Sequence, residues 1–251
     1  MISARSLTKR YGATLAVDAL SFDVRPGAVT GFLGPNGSGK STTLRMIMGL
    51  DRPDAGEARI DGRPYAALRW PMREVGALLE TRAFHPGRSA YAHLAAVAAG
   101  GGIHRSRVEE VLELVGLTDV GRRRVGSFSL GMTQRLGIAA ALLGDPAVLL
   151  RDEPTNGLDP EGIVWVRRLV RSLTAEGRTV LLSSHLIGET AITAEQVMVI
   201  GRGRLLADGS IDELTAEGQS LEEAFFRLTR GSAGYRAGHR DVVSGQEGWQ
   251  P

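Results

Sequence analysis

Apolar and polar residues alternate over residues 2–9 and again over 16–24, the period-two pattern of strands with one buried face. Residues 29–33 are apolar without alternation, which predicts a strand covered on both sides. Turn signals at Tyr11-Gly12 and Pro26-Gly27 separate the three. The pattern then predicts a helix over 40–48, a turn at Pro53-Asp54-Ala55-Gly56, a short strand over 57–60 closed by Asp61-Gly62, and a strand over 75–79. After Glu80 the period changes. Residues 89–143 carry helical spacing: 90–99, then Val108, Val111, Leu112 and Val115, then 136–143. Gly100-Gly101-Gly102 reads as a joint between two of these helices. Strand patterns return at 148–150, 180–183, 197–200 and 205–207, with helices over 161–173 and 220–229 packing around them. Residues 231–251 are Gly-rich and polar without period, so a mobile tail is expected. No internal repeat is visible.

A chain of 251 residues, set against about 150 per domain, accommodates one compact unit with an inserted lobe. The absence of cysteine excludes a disulfide scaffold, a thiolate metal site and a cysteine nucleophile. With 30 basic and 28 acidic residues the formal charge is only +2. No strong field would draw the chain onto nucleic acid or an anionic bilayer, and no nucleic-acid partner is expected. Lys9 and Lys40 are the sole lysines, every other basic residue being arginine. No run approaches the roughly 18 apolar residues of a membrane helix, and residues 1–5 open no charged-then-apolar leader. The chain is therefore expected neither to span a membrane nor to be secreted by that route. Arg122-Arg123-Arg124 reads as a solvated edge of the helical block. His85, His93, His104 and His239 lack metal-ligand spacing, and no GxSxG elbow is present.

The strand over 29–33 runs into Gly34-Pro35-Asn36-Gly37-Ser38-Gly39-Lys40-Ser41, which is GxxxxGK[ST] in the strand–loop–helix setting its mechanism requires. Glycines let backbone N–H groups turn inward around an anion, Lys40 reaches terminal phosphates, and Ser41 offers its hydroxyl to Mg²⁺. The strand over 148–150 leads to Asp152-Glu153 with Pro154 behind it. Adjacent carboxylates at a strand end divide labour: Asp152 can hold the Mg²⁺ shell while Glu153 orients and deprotonates a water. The Asn-Lys-x-Asp guanine reader is absent, which favours adenine. Phe128-Ser129-Leu130-Gly131-Met132-Thr133-Gln134-Arg135 precedes a helix expected to start near Thr133, where a serine and free N–H groups suit either an N-cap or an anion.

Taken together, these segments resemble the ATP-binding subunit of ATP-binding cassette (ABC) transporters over residues 2–230. The resemblance implies a mixed α/β P-loop fold with an N-terminal antiparallel β subdomain and a helical subdomain inserted at about residues 84–145. It implies that Tyr11 stacks on adenine, that Gly34 to Ser41 and Thr42 bind the nucleotide, and that Ser41, Asp152 and Glu80 hold Mg²⁺. Glu153 would be the catalytic base and His185 the sensor of the γ-phosphate. Ser129, Leu130, Gly131 and Met132 would form the signature that reaches ATP across a head-to-tail dimer, with Asn156-Gly157-Leu158-Asp159 as the loop joining the subunits. A separate transmembrane permease would hold the chain at the cytoplasmic face of the membrane.

Three departures refine the resemblance. The signature is more often Leu-Ser-Gly-Gly-Gln, whereas here Phe128, Leu130 and Met132 differ, a form similar to antibiotic-export cassettes. Glu80 stands where most of the family has Gln, as in cassettes of the bacitracin and lantibiotic type. Arg151 replaces an aliphatic residue that points into the packing layer, so it must either find a carboxylate or carbonyl partner or snorkel outward. Residues 209–229 resemble the C-terminal helix of exporter cassettes, favouring export, with a peptide antibiotic or hydrophobic drug as cargo. A soluble ATPase of DNA repair or translation and a catalytically silent nucleotide-gated module are the other classes compatible with these motifs.

Overall fold

A computed structural model of the chain describes residues 1–80, 84–153, 158–215 and 218–230. Strands Ile2–Tyr11 (β1), Thr14–Val24 (β2) and Ala55–Ile60 (β4) form an antiparallel sheet in the order β2-β1-β4. A second sheet has the order β5-β6-β7-β3-β8-β9, from Val75–Leu78 (β5), Val148–Asp152 (β6), Thr179–Ser184 (β7), Val29–Leu33 (β3), Gln196–Gly201 (β8) and Arg204–Ser210 (β9). All its pairings are parallel except β8 with β9. Every residue of β3 and β7 is buried, which explains their unbroken runs without charge.

On one face of the second sheet the helices are Ala90–Gly100 (α3) and Ser106–Leu114 (α4), which pack on Leu130–Leu142 (α5), and α5 itself with Pro160–Ala175 (α6), Ile187–Thr193 (α7) and Leu221–Thr229 (α9), which pack on the strands. Leu149, Leu182 and Val199 enter the core on this face. The alternate residues Leu150, Leu181 and Met198 enter a second core, shared with the antiparallel sheet and Lys40–Ile47 (α1). Two short helices complete the set, Pro71–Glu74 (α2) before β5 and Ile211–Leu214 (α8) after β9. In chain order α3, α4 and α5 fall between β5 and β6. Their docking is close: a Cβ at Gly76 would stand 2.1 Å from the Ala141 carbonyl oxygen, so only glycine lets β5 approach α5.

Two local expectations are corrected. Ala55 and Gly56 belong to β4 rather than to a turn; Gly56 has φ +75°, but at a point where the β1–β4 register slips, so its left-handed backbone makes a bulge. Helix α5 begins at Leu130, ahead of Thr133, because the Ser129 hydroxyl accepts from the Met132 N–H and caps an earlier turn. Arg122, Arg123 and Arg124 are exposed. The tail 231–251 lies outside the described residues.

Candidate functional site

Strand β3 delivers residues 34–39 to the carboxyl edge of the sheet, and α1 leaves from Lys40. The loop is tightly seated: a Cβ at Gly34 would stand 2.5 Å from the Ile200 carbonyl oxygen, and one at Gly39, with φ +104°, 2.4 Å from that of Ala16. Asn36 and Gly37 at its crest are exposed, while Ser38 is buried and its Oγ has no hydrogen-bond partner among the described residues. Lys40 is 6% exposed, and its ammonium donates to the Gly34 carbonyl at 2.6 Å and that of Pro35 at 3.3 Å. Burial lowers its pKa below the ordinary lysine value, against an opposing pull from Glu153 and Asp152. A desolvated cation is thus fixed in a loop facing two carboxylates, a setting that favours a polyanion.

Asp152 ends β6, and the Ser183 hydroxyl of neighbouring β7 donates to one of its carboxylate oxygens. The other is without a hydrogen bond among the described residues, and so is the exposed Ser41 hydroxyl. These are hard oxygen donors of the type Mg²⁺ accepts in ones and twos beside phosphate. No group of three or more His, Cys, Asp or Glu suited to a metal occurs among the described residues. Glu153 sits at φ +48°, a conformation costing about 1–3 kcal/mol for a residue with a side chain. Its N–H donates to the Ser183 carbonyl at 3.2 Å, and its Oε2 lies 2.7 Å from His185 Nδ1. The histidine thus holds a carboxylate that is only partly exposed.

Tyr11 ends β1 with its ring 48% exposed and its hydroxyl donating to Asp51 Oδ2 at 2.7 Å. Exposed Glu80 follows β5. Ser129, Leu130, Gly131 and Met132 open α5, with no hydrogen bond or ion pair to the phosphate loop among the described residues. Asp159 caps α6, its Oδ1 accepting from the Gly162 N–H at 2.7 Å. Asn156 and Gly157 lie outside the described residues. One chain therefore gathers the phosphate loop, Asp152, Glu153 and His185 at one edge and leaves the signature residues apart from them.

The family described as "ABC transporter" matches residues 17–156, more than half of the chain. The chain belongs to the ABC transporter family. It is 43% identical over 217 residues to the bacitracin transport ATP-binding protein BcrA of Bacillus licheniformis, covering 85% of this chain and 71% of that protein. The lantibiotic transport ATP-binding protein SrtF of Streptococcus pyogenes is 35% identical over 225 residues, covering 90% and 96%. A solved ATP-binding subunit of an ABC transporter superposes with a TM-score of 0.82 at 28% identity, over 91% of this chain and 99% of that one. A dimeric ABC cassette in a post-hydrolysis state with ADP and Pi gives 0.75 at 25% identity, over 84% and 98%. The chain is an ATPase subunit of this family, with the mixed α/β P-loop fold expected of it.

Against the ABC pattern, Arg151 finds a carbonyl partner: 3% exposed, it donates from Nη2 to the Gln134 side-chain oxygen on α5 at 2.9 Å, and its Nε is buried without a partner among the described residues. Burial alone pulls its pKa down to about 9, so the group stays cationic at neutral pH. Alternation along β6 sends Arg151 to the Leu149 face, where α5 lies. Sequence reasoning found the odd residue but not its partner, which is 17 positions earlier. Nor did it find Ser183, which holds Asp152, or Asp51, which holds Tyr11; each is an ordinary polar residue outside any motif.

Proposed function

We propose that this ATPase powers export, through a separately encoded transmembrane permease that holds it at the cytoplasmic face of the membrane, and that its cargo is a peptide antibiotic or other hydrophobic drug. The names of the relatives and the amphipathic α9, begun by a Ser220–Glu223 capping box, support the export reading. No helix among the described residues is long and apolar enough to cross a membrane, so the reading requires a partner. Residues 1–230 act as one cassette with the helical block at about 84–145 as its lever. Two cassettes meet head to tail, the phosphate loop of one facing Ser129 and Gly131 of the other, with Asp159 in the loop between them.

The observation that carries the chemistry is Glu153, strained at the end of β6 and paired with His185, on the same edge as Lys40. Tyr11 takes the base; Gly34, Pro35, Asn36, Gly37, Ser38, Gly39, Lys40, Ser41 and Thr42 take the triphosphate. Ser41 and Asp152, with Glu80 as a further oxygen, would hold Mg²⁺, which neutralises charge on the phosphate oxygens. A water held by Glu153 attacks the γ-phosphorus, its proton passes to Glu153, and the bond to the β-phosphate oxygen breaks with its electron pair leaving on ADP. His185 orients Glu153 and senses the departing phosphate. Loss of that phosphate removes a bridge between the two cassettes and lets them part.

Replacing Glu153 by Gln tests this reading. Turnover is expected to fall by roughly 10²–10⁴, and the variant should collect as an ATP-bound dimer on size exclusion. Wild-type protein without turnover even beside its permease would favour the silent nucleotide-gated module.

A further inference from the structure

We propose that Asp51, Arg45 and Lys9 are positioning residues that fix the Tyr11 ring as a platform for the nucleobase, a reading that rests on the nucleotide site proposed above. Tyr11 closes the tight β1–β2 hairpin, pairing with Thr14, and nearly half of its surface is open. A ring so placed would sample several rotamers unless something held its tip. Asp51 does so by accepting the phenol proton at 2.7 Å. Arg45 grips the same carboxylate twice, from Nε at 2.8 Å and Nη2 at 3.2 Å. Arg45 belongs to α1, the helix that starts at Lys40. The tyrosine is therefore tied to the helix that presents the phosphate loop, fixing the distance between base and phosphate contacts.

Lys9 acts from the strand side. Its ammonium lies 5.4 Å from the Tyr11 ring centroid and donates to the Arg52 carbonyl at 2.7 Å. The Arg10 N–H donates to Asp54 at 2.6 Å and the Asp54 N–H to the Thr8 carbonyl at 2.8 Å, so the segment bearing Asp51 is stitched to β1. An ammonium over one face draws ring electron density toward itself and leaves the other face better suited to an electron-rich purine. The sequence sharpens the point. Of 30 basic residues only Lys9 and Lys40 are lysine, and they mark the two ends of the nucleotide, base and phosphate. The Lys9 ammonium is held at once by the Arg52 carbonyl and, at 3.4 Å, the Asp54 carboxylate beside the ring, and a longer, planar guanidinium would have to rearrange those contacts. Stability alone accounts poorly for the cluster: Arg45 is 47% exposed, and ion pairs so placed contribute little.

The test measures KM and kcat for ATP and the Ki of inorganic tripolyphosphate, which has no base, on the full chain carrying Asp51→Leu, Tyr11→Phe, both together, Lys9→Met or Lys9→Arg. Asp51→Leu and Tyr11→Phe should each raise the KM for ATP about three- to tenfold, the worth of one hydrogen bond, with kcat and the tripolyphosphate Ki unmoved. The double variant should be no worse than Asp51→Leu alone, because both remove the same bond. Lys9→Met should raise KM about two- to fivefold, with Lys9→Arg restoring it only in part. Tyr11→Phe keeps the ring and its packing, so it answers even if Asp51→Leu folds poorly. An unchanged KM beside an active wild type, or a tripolyphosphate Ki rising in step with KM, overturns the proposal. A wild type that does not turn over ATP overturns the hydrolase reading and this one with it.

Discussion

Lys40 at the end of the phosphate loop and Arg151 on β6 are both buried cations, 6% and 3% exposed, yet their surroundings differ. Lys40 is met by two backbone carbonyls and by the field of Asp152 and Glu153, so its desolvation is opposed. Among the described residues Arg151 is met by one neutral amide, and burial lowers its pKa. A neutral amide compensates a charge poorly, since it offers a dipole where a counter-ion would be needed. The contrast teaches that burial of charge serves two ends here. At the sheet edge, on the reading proposed above, it stores attraction for a phosphate. Inside the core it fastens β6, which ends in Asp152 and leads into Glu153, to α5, which opens at Leu130 behind its Ser129 cap.

Lys40→Met breaks the comparison most severely. It should lower ATP turnover by about 10²–10³, the scale of losing one preorganised charge donor at a reacting phosphate. The melting temperature of the nucleotide-free chain should stay level or rise, because a desolvated ammonium is gone. Steady-state phosphate release and thermal denaturation check the two halves. A Lys40→Met variant hydrolysing at the wild-type rate would remove the phosphate-loop role.

Arg151→Met should act with the opposite balance. Exchanging a buried, partly satisfied cation for an apolar chain of similar volume is expected to stabilise the fold by about 1–3 kcal/mol, read as a higher denaturation midpoint, while ATP affinity holds. Gln134→Leu in the wild-type background should destabilise by about 1–3 kcal/mol, since the guanidinium then loses its amide. The same change beside Arg151→Met should cost less, and that non-additivity would measure the link between β6 and α5. Additive effects would show that the two side chains do not share an interaction.

The titration of Lys40 sharpens the contrast further. Its folded pKa is lowered, so its charged form is disfavoured in the free chain and stability should rise with pH through the depressed value. Phosphate binding requires the charged form. ATP affinity should therefore begin to fall at a pH below the ordinary lysine value of 10.5, and Lys40→Arg should shift that limb upward. Equilibrium binding at several alkaline pH values decides it; an affinity flat up to 10.5 would contradict the lowered value.

How much of this was legible in the sequence depended on how local each constraint is. The strand–loop–helix that carries the GxxxxGK[ST] spacing was legible, because glycine spacing, lysine and flanking elements lie within one short stretch. The strands of both sheets were legible from period and burial. Helix α7 was not: its residues, Ile-Gly-Glu-Thr-Ala-Ile-Thr, hold too little apolar period over seven positions to register. Arg151 could be flagged as costly from its neighbours in β6, but its partner depends on how α5 crosses the sheet. Asp51 lies 40 positions from Tyr11, and only the fold brings them together.

Glu80 gives the smallest expected effect, and for a physical reason that completes the contrast. Unlike Lys40 and Arg151 it is exposed, and Gln keeps the side-chain oxygen that Glu80 would offer Mg²⁺, so the exchange removes only a charge that water screens. Its carboxylate does act on Arg45, whose own carboxylate partner is Asp51, but that pair is held by direct hydrogen bonds. Glu80→Gln should thus leave ATP affinity within about twofold of wild type. Glu80 also borders a groove of about 360 Å³ with Leu79, Phe84 and His93, beside the helical block. On the reading proposed above the helical block meets the permease on this side, so the ratio of transport to hydrolysis in the assembled system should change while binding does not. Nucleotide titration and coupled export assays on the same preparation separate the two. ATPase and export both unchanged would take Glu80 out of the coupling, and a large loss of affinity would mean that its charge reaches the phosphates after all.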